Sequence, residues 1–408
     1  MNLPVVDLFS CGGGMSTGFS GAFGFKLTAA VDLEVAKPSG KSSGDTGCNR
    51  IYEANHGLVP ILQDIINFSP HDLMRIAGLQ PGDTATLISC SPCTDFSRAN
   101  PLNHLQDKSR NSLVVRSGDF VDVLRPQTFA MENVRELLTG NHPHHWSGLR
   151  ECLIRSGMNV QQDIHVLTRF GLPQKRERAL VMAVRGDRVR TLPELWDGWE
   201  LRPETVTVRH AFDRLREWQT SNPSDVDGAV YPGNRADVFA RIMATPADGG
   251  GWLDVARSGR LDLLTNDCLR RFREGDCGSH PDGNGRMWWD RPASTLKREC
   301  AHTGNGRYLH PSENRLMTVR EAATLQGFPF DYMFPIRCVA NRYRAIGDAV
   351  PPIIARQIAA CLSWSMTGRK PSPEEWVMPR TTLRVSDLQR VSGKPVAMSA
   401  VRGPGTQT

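Results

Sequence analysis

The stretch Val5-Val6-Asp7-Leu8-Phe9-Ser10-Cys11-Gly12-Gly13-Gly14 opens a 408-residue chain with a short apolar run that breaks into a glycine-rich turn. A helix is expected to follow through Phe23, then a second strand over residues 27–31 that closes on Asp32. Strand, glycine turn, helix, strand and acid form the first half of a doubly wound, Rossmann-like α/β sheet. Further strand-like runs at 85–89, 128–131 and 179–184 each end in a turn or polar cluster, so the alternation should continue to about residue 184.

Beyond that point the texture changes. Residues 186–290 are rich in Trp, Gly, Pro and Asp and are punctuated by Gly249-Gly250-Gly251 and Asp282-Gly283-Asn284-Gly285, which suggests an inserted, irregular domain. Regular patterning returns near Trp289 and ends in an apolar helix over about 352–364. The expected organisation is thus a catalytic domain in two parts, 1–185 and 291–365, around the 186–290 insertion, with a basic, weakly ordered tail at 366–408. The length accommodates this, being two to three domain-lengths at ~150 residues each.

With 39% apolar and 23% charged residues the composition is globular. No run approaches 18 consecutive apolar residues and Met1 leads directly into the first strand, so a soluble, unexported, cytoplasmic protein is expected, associated with no membrane. Ten cysteines without a regular framework fit reduced thiols better than disulfides. Net charge is +6, and the tail from Met366 carries +4 of it, with seven basic residues against three acidic ones. Between Arg185 and Asp290 lie fifteen Arg, no Lys and eighteen acids, so contact with a polyanion there would need a local, Arg-rich face.

Several residues are of types that carry chemistry. The turn at Gly12, Gly13 and Gly14 lets backbone approach a ligand, and Asp32 is placed to accept hydrogen bonds from ribose hydroxyls, although the pattern is not GxGxxG. Gly40-Lys41-Ser42 resembles the end of a phosphate-binding loop, but Val35 stands where that motif needs glycine. Cys90-Ser91-Pro92-Cys93 admits a zinc pair, a redox pair, a lone nucleophile at Cys93, or two buried structural thiols. Zinc would need a second ligand pair, and Asn141-His142-Pro143-His144-His145 contains no cysteine, so no metal is expected. Glu132 follows the 128–131 run and should lie at the sheet's carboxyl edge, while Arg176 and Arg178, two apart, should share one side of an extended segment. Taken singly, each has a plain alternative as a solvated loop or edge charge.

As an ordered set, these motifs resemble the cytosine-5 DNA methyltransferases of bacterial type. The set comprises Asp7-Leu8-Phe9 with its glycine turn, Pro92-Cys93-Thr94-Asp95-Phe96-Ser97, Glu132-Asn133-Val134 and Gly171-Leu172-Pro173-Gln174-Lys175-Arg176-Glu177-Arg178. Arg291-Pro292-Ala293-Ser294-Thr295, a 316–329 stretch ending Gln326-Gly327-Phe328-Pro329, and Gly347-Asp348-Ala349-Val350-Pro351-Pro352 complete it. The resemblance spans residues 1 to about 365 apart from 186–290, where the family places its target-recognition domain. It implies S-adenosylmethionine as cofactor, held by Phe9, Gly12, Gly13 and Gly14, with Asp32 on the ribose. Asp64 and the adjoining Ile65 would meet the adenine, with Pro92, Leu113 and the returning Gly347, Asp348 and Ala349 nearby. Three positions depart from the family pattern: Cys11 replaces the first loop glycine, Thr94 the usual Gln after the catalytic cysteine, and Asp348 the usual Asn. An insertion of roughly 13 residues also follows Asp32, at 37–49.

The implied chemistry suits these residue types. Cytosine C5 is a poor nucleophile until a thiolate, Cys93, adds at C6. Charge then building through N3 and O2 is met by a protonated Glu132 and by Arg178, supported by Arg176. The base must leave the duplex for this to happen. The implied partner is double-stranded DNA, acted on by a monomer, with a cognate restriction enzyme or other defence component as a further partner. The same reaction on RNA, and a catalytically silent nucleic-acid-binding paralogue, are the alternatives; the joint presence of Cys93, Glu132 and Arg178 argues against the second.

Overall fold

A computed structural model describes residues 2–34, 46–92, 107, 111–223, 228–276 and 282–391. Seven strands form the central sheet: β1 (Leu3–Leu8), β2 (Phe25–Asp32), β3 (Ile61–Leu62), β4 (Thr86–Ser89), β5 (Thr128–Val134), β6 (Met158–Val166) and β7 (Glu177–Arg185). Their order is β3-β2-β1-β4-β5-β7-β6, with β7 antiparallel to both neighbours and the β1–β2, β1–β4, β2–β3 and β4–β5 pairs parallel. β4 and β5 are buried at every position, as strands covered on both faces must be.

Alternate side chains divide between two cores. Val5, Ile88, Ala130, Leu180 and Met182 pack on one face with the helices Gly14–Phe19 and Pro352–Thr367. Val6, Leu87, Phe129, Met131 and Val181 pack on the other with the helices Ser112–Leu124 and Pro143–Arg155. Among the described residues, the stretch long and apolar enough to cross a bilayer, Val339–Thr367, is mostly buried inside the protein.

Two expectations need correction. The tail is not weakly ordered throughout, because residues 368–391 pack against the sheet's core. Trp376 is fully buried, its ring 4.9 Å from that of Trp196, and Val377, Met378, Leu383 and Leu388 join the same cluster. Strand β8 (Trp199–Leu201) pairs antiparallel with β9 (Leu388–Arg390). The Pro and Ser content that suggested disorder instead builds a short capped helix, Pro373–Trp376. The insertion, likewise, is not irregular throughout and is not bounded at 186. Val189, Leu192, Leu195 and Trp196 belong to the sheet's core, and the remainder is largely helical, with helices Val208–Ser221, Ala236–Ala244, Trp252–Arg257 and Asn266–Glu274.

Beneath the glycine turn Asp7 is buried; Ser16 Oγ donates to its Oδ2 at 2.5 Å and lies 2.8 Å from the Tyr52 hydroxyl. Burial pushes the Asp7 carboxyl up to about 7, against the lowering effect of the Ser16 hydrogen bond.

Two predictions follow from this packing. Trp376→Ala should cost about 3–5 kcal/mol in chemical denaturation, and truncation after Thr367 should unfold the protein. A soluble, fully stable protein ending at Thr367 would contradict the packed tail. The second concerns Asp7, whose raised pKa makes the folded state hold a proton that the unfolded chain releases near pH 4. That contribution is full below about pH 4 and is lost as pH rises to about 7, by up to roughly 4 kcal/mol. Asp7→Asn should therefore gain stability relative to wild type between about pH 4.5 and about pH 8. Parallel stability profiles over that range would show that Asp7 ionises normally.

Candidate active site

The carboxyl edge of the sheet gathers the ends of β1, β2 and β3. The chain leaves β1 through a left-handed turn in which Phe9, Cys11 and Gly13 have φ of 63°, 46° and 81°. Two backbone bonds hold that turn against β2: Ser10 N–H donates to Val31 O at 3.1 Å, and Cys11 N–H to Asp32 Oδ2 at 2.8 Å. Asp32 Oδ1 accepts from Glu34 N–H at 2.7 Å, so each carboxylate oxygen keeps a further acceptor site. Burial raises the Asp32 pKa, and these two N–H bonds oppose the rise. After β3, Asp64 Oδ1 accepts from Ile66 N–H at 3.0 Å, Ile65 is buried, and Leu113 is buried in the first turn of its helix. Pro92 is exposed where β4 gives out.

The returning chain closes on this edge. A Cβ on Gly14 would lie 2.5 Å from Val350 O and one on Gly347 2.3 Å from Lys297 O, so only glycine allows these approaches. Asp348 is ion-paired with Arg298. Burial nevertheless pushes the Asp348 carboxyl up to about 6, against the pull of the guanidinium. The buried Ser10 Oγ has no hydrogen-bond partner among the described residues. Unused acceptor sites on Asp32 and an orphaned hydroxyl beside a glycine turn fit a nucleoside-bearing cofactor. No local pattern marks Tyr332, which donates its hydroxyl to Gly12 O at 2.5 Å from 320 residues away.

A second cluster sits where β4, β5 and β7 meet. Because β7 runs antiparallel to β5, with Arg178 opposite Val134, its first residues reach the edge where β5 ends. Glu132 is 8% exposed, and its Oε1 lies 2.9 Å from Arg178 Nε and 3.8 Å from Arg176 Nε. Arg178 donates from Nη1 to Glu177 O at 2.8 Å. Arg176 instead reaches carbonyls of the returning chain, Leu296 O at 3.1 Å and Ala349 O at 3.4 Å. Both guanidinium groups thus lie within 4 Å of the same Glu132 oxygen, with Arg176 the more buried of the two. Glu132 N–H donates to Cys90 Sγ at 3.5 Å, and Asn133 Nδ2 donates to Ser91 O at 3.2 Å. Burial pushes the Cys90 thiol far up, which suits packing rather than nucleophilic attack. Cys93 and Thr94 lie outside the described residues, as does most of the 37–49 insertion.

Gln174, fully buried, ties the two halves of the catalytic domain together. Its Nε2 donates to Gln326 Oε1 at 2.8 Å and to Leu325 O at 3.2 Å, and its Oε1 accepts from Leu296 N–H at 2.9 Å. Gln326 in turn donates to Ala349 O at 2.6 Å. Lys175 N–H donates to Ala293 O at 2.8 Å, and Ala293 N–H to Pro173 O at 3.0 Å. Four of the sequence motifs thus meet in one hydrogen-bonded junction beside Glu132.

Residues 3–364 match the family model of the C-5 cytosine-specific DNA methylases. The chain belongs to that family. It is 27% identical over 371 residues to the type II methylase M.HgiDII of Herpetosiphon aurantiacus, covering 89% of this chain and 96% of that one. It is 26% identical to the type II methyltransferase M.XorII of Xanthomonas oryzae, covering 92% and 88%. Among solved structures, the fold is similar to a DNA modification methyltransferase encoded within an E. coli prophage, with TM-score 0.60, 18% identity and 89% and 99% of the two chains covered. It is also similar to the S. pombe Dnmt2 methyltransferase, with TM-score 0.54, 16% identity and 90% and 99% covered. The reaction of this methylase is transfer of a methyl group from S-adenosylmethionine to C5 of cytosine in DNA.

The junction makes its own prediction. Gln174→Ala would take from Leu296 N–H, Leu325 O and Gln326 Oε1 their partner in a buried place, at a cost of about 2–4 kcal/mol. Urea unfolding of the variant measures this; a loss under about 0.5 kcal/mol would mean the junction does not hold the two halves together.

Proposed function

We propose that Cys93 is the nucleophile of this DNA methylase and that Glu132 and Arg178 handle the charge it creates, with Arg176 positioning them. The observation that supports this reading most is the buried Glu132, 2.9 Å from Arg178, next to a residue bonded to Ser91. Cys93 follows Ser91 by two residues, a chain reach of at most ~7 Å. In this reading the thiolate adds to C6 and Glu132 gives a proton to N3, while Arg178 holds O2, so that C5 becomes enamine-like. Bound S-adenosylmethionine, held by Phe9, Gly12, Gly13, Gly14, Asp32, Asp64 and Ile65 and closed over by Gly347, Asp348 and Ala349, supplies an electrophilic methyl group. Loss of the C5 proton to a base, expulsion of the thiolate and return of the N3 proton to Glu132 restore the aromatic ring and the starting protonation of the site. A flipped base from double-stranded DNA is the substrate form that can reach such a site.

Target recognition is assigned to the helical body that starts at about residue 207 rather than 186. Its centre has a small core of its own, formed by Trp252, Val255, Ala256 and Leu264. An Arg-rich face is not how this body would read DNA, since most of its arginines face neighbouring acids, as Arg209 does Asp290, Arg216 Asp213, Arg260 Asp262 and Arg270 Asp267. DNA would have to displace those acids or bind between them. The names of the relatives, type II methylases, support a cognate restriction enzyme as partner. We assign the protein, as a monomer, to the DNA of the cytoplasm.

Labelled methyl transfer to duplex DNA and to RNA tests the assignment. Glu132→Gln and Arg178→Ala should each lower kcat on DNA by about 10²–10³, with cofactor affinity nearly unchanged. Exchanging residues 228–276 for the matching segment of another family member should move the methylated site without abolishing transfer. Full rates in both variants, transfer to RNA in preference to DNA, or an unmoved site in the chimaera would contradict the respective parts of the reading.

A further inference from the structure

The stretch Asn141-His142-Pro143-His144-His145 takes no part in the methyl-transfer site, yet its histidines are gathered around one acid. Pro143 starts the helix Pro143–Arg155, which projects His144 and His145 from its first turn. Asp107, from the connection between β4 and the helix Ser112–Leu124, lies between them. Its Oδ2 is 2.8 Å from His144 Nε2 and its Oδ1 2.8 Å from His145 Nε2. The ligand atoms of the three residues all lie within 4.8 Å of one another. The two imidazole rings are 4.1 Å apart.

We propose that His144, His145 and Asp107 form a binding site for a divalent transition cation of borderline softness, of which Zn²⁺ is the expected occupant. Two imidazole nitrogens and one carboxylate oxygen are a donor set for such ions, and a tetrahedral ion keeps its remaining position for water or a fourth ligand. The site has the supports a metal site needs. His145 is buried and held in place, whereas His144 and Asp107 are exposed, so an ion can enter from solvent. Asn111 Nδ2 donates to Asp107 Oδ1 at 2.8 Å and orients the carboxylate from behind. His142 is a further donor close by: its ring is 6.3 Å from that of His144, and its Nε2 is buried without a hydrogen-bond partner among the described residues. The positive end of the helix works against a cation, and the charge of Asp107 offsets it. Binding requires no redox partner. Each neutral imidazole carries its one proton on Nδ1 and gives its Nε2 lone pair to the ion, in place of an Nε2–H bond to Asp107.

The ion would bridge the connection that leads from Cys93 to a helix fixed on the sheet, and the site stands on its own geometry whatever Cys93 does. The alternative is a carboxylate that simply holds two protonated Nε2 atoms. Zinc titration of the untagged, chelator-stripped full chain against a chromophoric chelator separates the two, with Co²⁺ absorption as a second readout. Wild type should bind one equivalent at micromolar affinity or tighter, with a raised thermal midpoint and Co²⁺ bands of low coordination number. The double variant H144A/H145A should bind at least ~100-fold more weakly and lose the thermal shift, and D107N should bind ~10-fold more weakly. Should the double variant fail to fold, H144Q alone, which keeps a hydrogen bond to Asp107, should still lose the Co²⁺ bands. Methyl transfer by H144Q in zinc-free buffer should match wild type. Absence of micromolar binding to wild type, or equal binding by the variants, would overturn the proposal.

Discussion

A reversed strand determines where everything else can meet. In a parallel sheet only strand ends reach the carboxyl edge, so β1, β4 and β5 can bring a glycine turn, Cys90 and Glu132 there and no strand beginning can join them. Because β7 runs antiparallel between β5 and β6, its beginning lies at that same edge and delivers Arg176 and Arg178 to Glu132. The preceding loop carries Gln174, whose three hydrogen bonds draw in chain from 120 to 150 residues later. One change of strand direction thus assembles the charged cluster and also docks the returning segment that closes the glycine turn.

This explains which parts of the molecule were legible in the sequence. The strands were, because Val5-Val6-Asp7-Leu8 and its counterparts are short apolar runs ending in turn residues, and burial on both faces demands such runs. The pairing of Arg176 and Arg178 on one side followed from strand periodicity alone. Gln174 stood inside a recognised motif, but its partners are fixed by tertiary packing, which local pattern does not carry. The segment after Thr367 was misjudged for a related reason. Its Pro and Ser residues read as disorder, whereas Trp376 has a pocket beside Trp196 that only the folded sheet creates. The meeting of Asp107 with His144 and His145 is not legible locally, because 37- and 38-residue separations match no local metal motif and the His stretch contains no cysteine.

The charge distribution also changes meaning once geometry is known. Fifteen arginines in the 185–290 stretch invited the expectation of a basic face, yet the acids that outnumber them sit mostly within a few residues and form pairs such as Arg270 with Asp267 and Glu274. Exposed pairs of this kind add little stability, so they are readily exchanged for contacts with phosphates or bases. Within the tail Arg369 pairs with Glu375, and Arg384 reaches out to Glu217. Against this neutralised surface the buried acids stand out. Asp7 and Asp348, both held up by burial, flank the turn from below and from the end of the returning helix Val339–Asp348.

In the proposed mechanism Cys93 is the nucleophile toward cytosine C6 and works with Glu132 and Arg178. Fluorine at C5 cannot depart as a cation, so duplex DNA with 5-fluorocytosine at the target should arrest the reaction after methyl transfer, before the thiolate can leave. Mass spectrometry of the denatured, digested adduct formed with S-adenosylmethionine should find the nucleotide on the peptide containing Cys93, and Cys93→Ala should yield no adduct. A link at Cys90, or normal methylation by Cys93→Ala, would contradict the account.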